Sequence, residues 1–504
     1  MLFNSYIFIF LFLPLTLAGW YLLNNLHRDR LALAFLTGMS LWFYAYFNIS
    51  YLAIIVLSIL GNYAISAYLH SIESGKIACD LGRARRITMV LGILVNLGIL
   101  FYFKYFDFFI ENINALFKSD FTLKNILLPL GISFFTFQQL SYMIDRGWGK
   151  AKHYDFLDYA AFVTFFPQLI AGPIVLHTEL VPQFEDLSKR KFNADNFYDG
   201  LVSFVLGLGK KVLLADTLAR IANYGFDNAA FLDTPAVITL MVAYSLELYF
   251  DFSGYSDMAI GLGRMFNIEL PVNFNSPYKS YSLKNLWSRW HITLTRFMTT
   301  YVYIPLGGNK KGRVRTLVNV FIVFLLSGLW HGAAWTYIVW GACTGIIVVW
   351  DNLGLIGFSR EEKRPAKIIL PKWLGVILTN IAFTALLIPF RSPDLKTAGQ
   401  ILKDFTVGVT GNLKVLATKT MDIPESYLIK QIITRVAPDK MTITYVILMF
   451  VLIVIGIFVC TRKNVAEIIE AHRGKALLNA AVVVILLYSV ISFSQVSTFI
   501  YFNF

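Results

Sequence analysis

Apolar residues run in stretches near twenty long from one end of the chain to the other: 5–23, 32–47, 51–69, 87–103, 236–250, 316–331, 333–350, 373–390, 443–460 and 476–493. About 20 helical residues cross the hydrocarbon layer of a bilayer, so each run predicts a spanning helix. The strict apolar/polar alternation of transmembrane barrel strands is absent. The expected fold is therefore all-α, a polytopic integral membrane protein. It should carry about 11 or more transmembrane helices, with re-entrant and interfacial amphipathic helices among them.

Composition strengthens this reading. Of 504 residues, 57% are hydrophobic and 15% charged, and the mean hydropathy is +0.61. One soluble core cannot bury that much apolar surface. The net charge of +13 does not point to nucleic acid, because basic residues cluster in short connections at 27–30, 75–86, 188–191, 309–315, 360–367 and 461–464. That is the positive-inside pattern. It puts the N-terminus outside, a tight outer turn at Asn48 to Ser50, and an extracytoplasmic segment at 392–442. The first apolar run lacks a basic leader region and is followed directly by further spans, so it is expected to stay as a helix. Cys79, Cys343 and Cys460 lie far apart with no CxxC and read as small buried residues. With no internal repeat or low-complexity linker, 1–504 reads as one membrane domain. Its irregular core, about 111–315, is interrupted by Pro129, Pro167, Pro173, Pro271, Pro277 and Pro305, and broken helices at membrane depth line cavities.

The candidate chemistry lies in that core and in the apolar run that follows it. His331 sits in FLLSGLWHGAAW (324–335), and a polar side chain inside an apolar run needs a partner or a task. About sixteen residues separate it from Arg315, a rise of roughly 24 Å, which carries it past the midplane toward the outside. Ser327, one turn earlier, is a hydrogen-bond partner for a purely structural histidine. His291 lies in NLWSRWHITLTRFMTTYVYIPLGG (285–308), where Trp287, Trp290, His291, Leu294 and Met298 fall at helical spacing. Arg289 and Arg296 share another side, which predicts a helix lying along or dipping into the membrane. A second membrane-depth imidazole provides two groups able to share one cavity. Glu247, Asp251 and Asp257 interrupt a span and are read as ion pairs with Arg264 or Arg289. His27, His70, His153 and His472 lie in polar connections, and His177 at a span end reads as interfacial. No metal set is expected, since HExxH and comparable ligand spacings are missing. A Walker loop, GxGxxG and a Gly-x-Ser-x-Gly elbow are missing as well.

Five stretches in order now carry a resemblance: LPLGISFFTFQQLSYMID (128–145), FPQLIAGPI (166–174), YFDFSGYSDMAIGLG (249–263), NFNSPYKSYSLKNLWSRWHITLTRFMTTYVYIPLGGN (273–309) and SGLWHGAAW (327–335). Over about 120–350, its expected catalytic core, the chain resembles the membrane-bound O-acyltransferase superfamily, in particular its bacterial branch of alginate, peptidoglycan and cellulose O-acetylation membrane proteins. The family's invariant histidine maps onto His331 of the WHG tripeptide, and its second histidine, in the RWHxxL motif, onto His291.

The resemblance implies an acyltransferase of a bacterial plasma membrane. Such proteins move an acyl group from a cytoplasmic thioester through a pierced membrane core to a hydroxyl on the far side. His331 is expected as general base, its ordinary pKa near 6.5 suiting one proton transfer, with a transient acyl-imidazole as the variant. His291 is expected to orient the thioester or polarise its carbonyl. Trp287, Trp290, Tyr301, Tyr303, Ser327 and Trp330 are expected to shape the tunnel, with Asp251, Asp257 and Arg289 behind them. No bound cofactor or metal is expected. The donor is acetyl-CoA or another acyl thioester, and the partners are membrane lipids, a polysaccharide acceptor and an extracytoplasmic hydrolase-like acetyltransferase. Alternatives are D-alanyl transfer to teichoic acids from a carrier-protein thioester, a lipid or protein acyltransferase, and, outside the class, a transporter.

Overall fold

The computed structural model describes residues 1–358, 366–495 and 499–500, and within them the chain is helical from end to end. Irregular stretches such as 119–129 and 268–276 join the helices, and two two-residue strands, Ile356–Gly357 and Ile368–Ile369, pair with each other. Much of the basic 360–367 connection lies outside the described residues.

Eight helices among the described residues are long and apolar enough to cross a membrane: Phe8–Asn25, Ile49–Glu73, Leu81–Phe117, Thr234–Met265, Arg313–His331, Trp335–Leu353, Lys372–Arg391 and Pro438–Thr461. The runs at 32–47 and 476–493 form shorter helices, Asp29–Ala45 of 17 residues and Ala476–Ile491 of 16. The protein is an all-α, multi-pass membrane protein. The turn at Asn48 begins a helix because the Asn48 side chain accepts from the Ser50 N–H at 2.9 Å, a cap that satisfies one orphan donor.

Thr234–Met265 is the central pillar, with 89% of its most apolar window buried. Its 32 residues rise about 48 Å. It packs against Ala194–Gly209 so closely that only glycine fits. A Cβ on Gly207 would come within 2.6 Å of the Gly254 carbonyl, and one on Gly200 within 2.6 Å of the Gly261 carbonyl. Small residues permit such backbone approach, the main source of helix association in lipid. The carboxylates expected to interrupt this span do not. Asp251 and Asp257 are paired with lysines, not with Arg264 or Arg289. Lys211 Nζ lies 2.5 Å from Asp251 and 2.8 Å from Asp216, and Lys210 Nζ lies 2.6 Å from Asp257. Arg264 approaches Asp199 instead.

Two hydrophobic clusters fill the interior. Leu294, Phe297, Tyr301 and Trp330 belong to one, and Trp287, Trp290, Trp340 and Phe390 to the other. The segments bearing His291 and His331 thus run along the seam between two cores.

Candidate active site

His331 ends the helix Arg313–His331 and is buried, with aromatic rings around it. The ring centroids of Trp330, Trp340 and Phe390 lie 4.9, 5.1 and 5.2 Å from its own. The carbonyls at this helix end lack partners within the helix, and a neighbouring helix supplies them. Lys104 Nζ donates to the Trp330 carbonyl at 2.6 Å and to that of His331 at 3.2 Å, and the Tyr105 hydroxyl donates to the Leu329 carbonyl at 2.9 Å. A cation at a helix C-terminus also meets the negative end of its dipole.

The single tilted helix expected at 285–308 is broken. Leu283–Trp287 and Ile292–Met298 are separate helices, and His291 between them has φ 47° and ψ 50°. A non-glycine residue held in the left-handed region needs surrounding contacts to keep it there. Asn273 supplies them. Its carbonyl accepts the Ile292 N–H at 3.0 Å, and its side-chain Oδ1 accepts from the Thr293 N–H at 3.2 Å and the Thr293 hydroxyl at 2.9 Å. The same Oδ1 lies 3.2 Å from His291 Nδ1. Since a backbone N–H donates to this atom, it is the amide oxygen and an acceptor, so Nδ1 of His291 carries the proton. In a neutral ring Nε2 is then the accepting nitrogen.

The two imidazoles lie 6.5 Å apart, centroid to centroid. A cavity of about 270 Å³ reaches the first, lined by Trp287, His291, Met298, Tyr303 and Ser327, with Lys284 and Asn352 also on its wall. A smaller hollow of about 30 Å³ reaches the second, lined by Lys104, Ser133, Trp330, His331 and the 128–132 backbone.

Trp290 and Tyr301, expected to shape the tunnel, border neither space. Trp290 packs on Phe274 and Phe383, and Tyr301 donates to Asp145 at 2.9 Å. Arg289 holds the loop by donating to the Asn275 carbonyl at 3.2 Å. His177 is wholly buried, 3.0 Å from Asp145 and 2.8 Å from the Tyr154 hydroxyl. His153 is half-buried, 3.1 Å from the Ser66 hydroxyl, and Cys79 is exposed.

Lys104 and Asn273 escaped the sequence reading. For Lys104 the signal was there, a lysine in the apolar run LGILFYFKYFDFF, a placement that in lipid usually marks a task. It lies in a wide π-type turn, Phe101–Tyr105, and two more such turns, Lys210–Ala215 and Thr299–Tyr303, carry Lys211 and Tyr303. These turns often mark functional positions.

Comparison with known proteins matches residues 147–360, both histidines included, to MBOAT, the membrane-bound O-acyltransferase family. Similar proteins include a peptidoglycan O-acetyltransferase of Helicobacter pylori, 36% identical over 100% of this chain and 98% of its own. A probable alginate O-acetylase of Pseudomonas aeruginosa is 42% identical over 75% of this chain and 71% of its own. A teichoic acid D-alanyltransferase of Bacillus subtilis is 26% identical over 51% of this chain and 67% of its own. With paired histidines in the family's motifs and a relative matched from end to end, this chain belongs to the membrane-bound O-acyltransferase family and is a membrane-embedded acyltransferase.

Proposed function

We propose that the chain is an O-acetyltransferase that takes an acetyl group from a cytoplasmic thioester and passes it to a hydroxyl of an extracytoplasmic polysaccharide. One observation carries the reading. Two hollows approach the histidine pair, the larger touching His291 and the smaller touching His331, with the rings 6.5 Å apart. The larger is lined by Lys284 and Asn352, near the basic 309–315 connection assigned to the cytoplasm by charge. The smaller is lined by 128–134 and Lys104, toward the opposite end of Leu81–Phe117 from the basic 83–86 cluster.

The donor thioester enters the larger cavity, where His291 Nε2 accepts from an amide N–H of its pantetheine arm. The acceptor hydroxyl enters through the smaller hollow. Its oxygen attacks the thioester carbonyl carbon while His331 takes its proton, the C–S bond breaks, and the proton passes to the departing sulfur. An acyl-imidazole on His331 is the variant. The acceptor class is supported by the names of the relatives that match most of the chain, peptidoglycan and alginate O-acetylating proteins. In this reading an extracytoplasmic hydrolase-like acetyltransferase receives the acetyl group on a serine, with 392–442 as its docking surface.

Labelled acetyl-CoA presented to purified protein in proteoliposomes tests the donor. Label should appear on an added polysaccharide or partner acetyltransferase, and His331→Ala should abolish transfer while the protein stays inserted and monodisperse. Transfer of D-alanine from a carrier protein instead, or full transfer by His331→Ala, overturns the reading.

A further inference from the structure

The segment between the spans Lys372–Arg391 and Pro438–Thr461 ends in the helix Tyr427–Val436, and this helix buries no residue of its own. At 100° per residue, Leu428, Ile429, Ile432, Ile433 and Val436 fall on one face, and Lys430, Gln431 and Thr434 on the other, with Arg435 at the border. The apolar face is bare. Leu428 is 72% exposed, Ile432 60% and Val436 77%. With Ile429, that makes four clustered apolar side chains open to water, beside a half-buried Ile433, and such patches mark a surface that something covers.

Position indicates what covers it. Val436 lies two residues before the span Pro438–Thr461, so the helix is tied to the end of a membrane-crossing segment. The chain bends sharply between the two, with Ala437 at φ −154° and ψ 68°. The span itself presents exposed Ile443, Ile447 and Val454, the apolar belt that meets lipid tails. Standing upright, the ten-residue helix would lift its bare face about 15 Å into water. Lying flat, it continues the belt into the boundary between headgroups and acyl chains. Lys430 on its polar face is paired with Asp422 at 2.8 Å, and the cations left for phosphate headgroups are Arg435 at the border of the apolar face and Lys440 just beyond the helix.

We propose that Tyr427–Val436 is an interfacial helix, docked by its apolar face into the leaflet on its own side of the membrane.

Spin labels on single cysteines test this in full-length protein whose Cys79, Cys343 and Cys460 have been replaced by serine, reconstituted in phosphatidylethanolamine and phosphatidylglycerol vesicles. Leu428→Cys and Ile432→Cys should collide with lipid-soluble oxygen more than with a water-soluble nickel chelate. Lys430→Cys and Thr434→Cys should show the reverse. Equal exposure of both faces to nickel would mean a helix standing in water. Protection of the apolar face from both reagents would mean a protein covers it. Either result overturns the proposal, and neither depends on acyl transfer.

Discussion

The imidazole of His291 lies 6.5 Å from that of His331, and the Trp330 indole neighbours both, its centroid 6.0 Å from the first and 4.9 Å from the second. His291 belongs to a strained loop and His331 to a helix end, so each ring depends on a separate support. The two supports, Asn273 and Lys104, can be removed independently.

Asn273→Ala removes the acceptor shared by His291 Nδ1 and Thr293. A misplacement of about 1 Å at a reacting group costs about 100-fold in rate. Acyl transfer in proteoliposomes should fall by about that factor, with protein yield unchanged. Asn273→Asp keeps an acceptor oxygen in place and should retain more activity than the alanine variant.

Lys104→Met strips the cation from the carbonyls of Trp330 and His331. The helix end frays where the family histidine sits. Transfer should drop about 10- to 100-fold, while Lys104→Arg, which still donates, should recover part of it in the same assay.

Lys211→Met leaves Asp216 and Asp251 without the ammonium that sits 2.8 and 2.5 Å from them. Breaking a buried pair by deleting one partner costs about 3–5 kcal/mol. Thermal unfolding in detergent should show a large loss of Tm. Adding Asp251→Asn to that variant should restore part of it, because one stranded charge is gone.

Asp233, just before the central pillar, ties the 405–412 loop to it. Its Oδ2 accepts from the N–H groups of Thr410, Gly411 and Asn412, each at 3.0 Å, and its Oδ1 from Ala236 at 3.1 Å. Burial pushes this carboxyl up, but the hydrogen bonds from Thr410, Ala236 and Asn412 outweigh burial and hold it below the ordinary 3.8. A lowered folded-state value means the stabilisation is fully present above the unfolded value and is lost as pH falls through the folded one. Amide exchange at 410–412, corrected for its intrinsic pH dependence, should therefore stay protected at neutral pH and open below about pH 4. Asp233→Ala should open the same amides at neutral pH.

Much of the architecture is legible in hydropathy alone because the bilayer demands about 20 apolar residues per crossing and complete internal hydrogen bonding. Leu81–Phe117 and Thr234–Met265 outran their expected ends for the opposite reason. Their charges, Lys104 and the carboxylates at 251 and 257, find partners on other helices, and a local scale cannot see a neutralised charge.

The sequence by itself determined the all-α membrane class, the charge asymmetry and the two family histidines, because each is carried by residue type and short spacing. Tertiary structure alone decided that His291 would stand in a left-handed break rather than on a helix, with Asn273 setting which nitrogen holds the proton. It also brought Lys104 to the end of a helix more than two hundred residues away. Hydrogen bonds act over about 3 Å of space and are blind to distance along the chain, so no periodicity announces them.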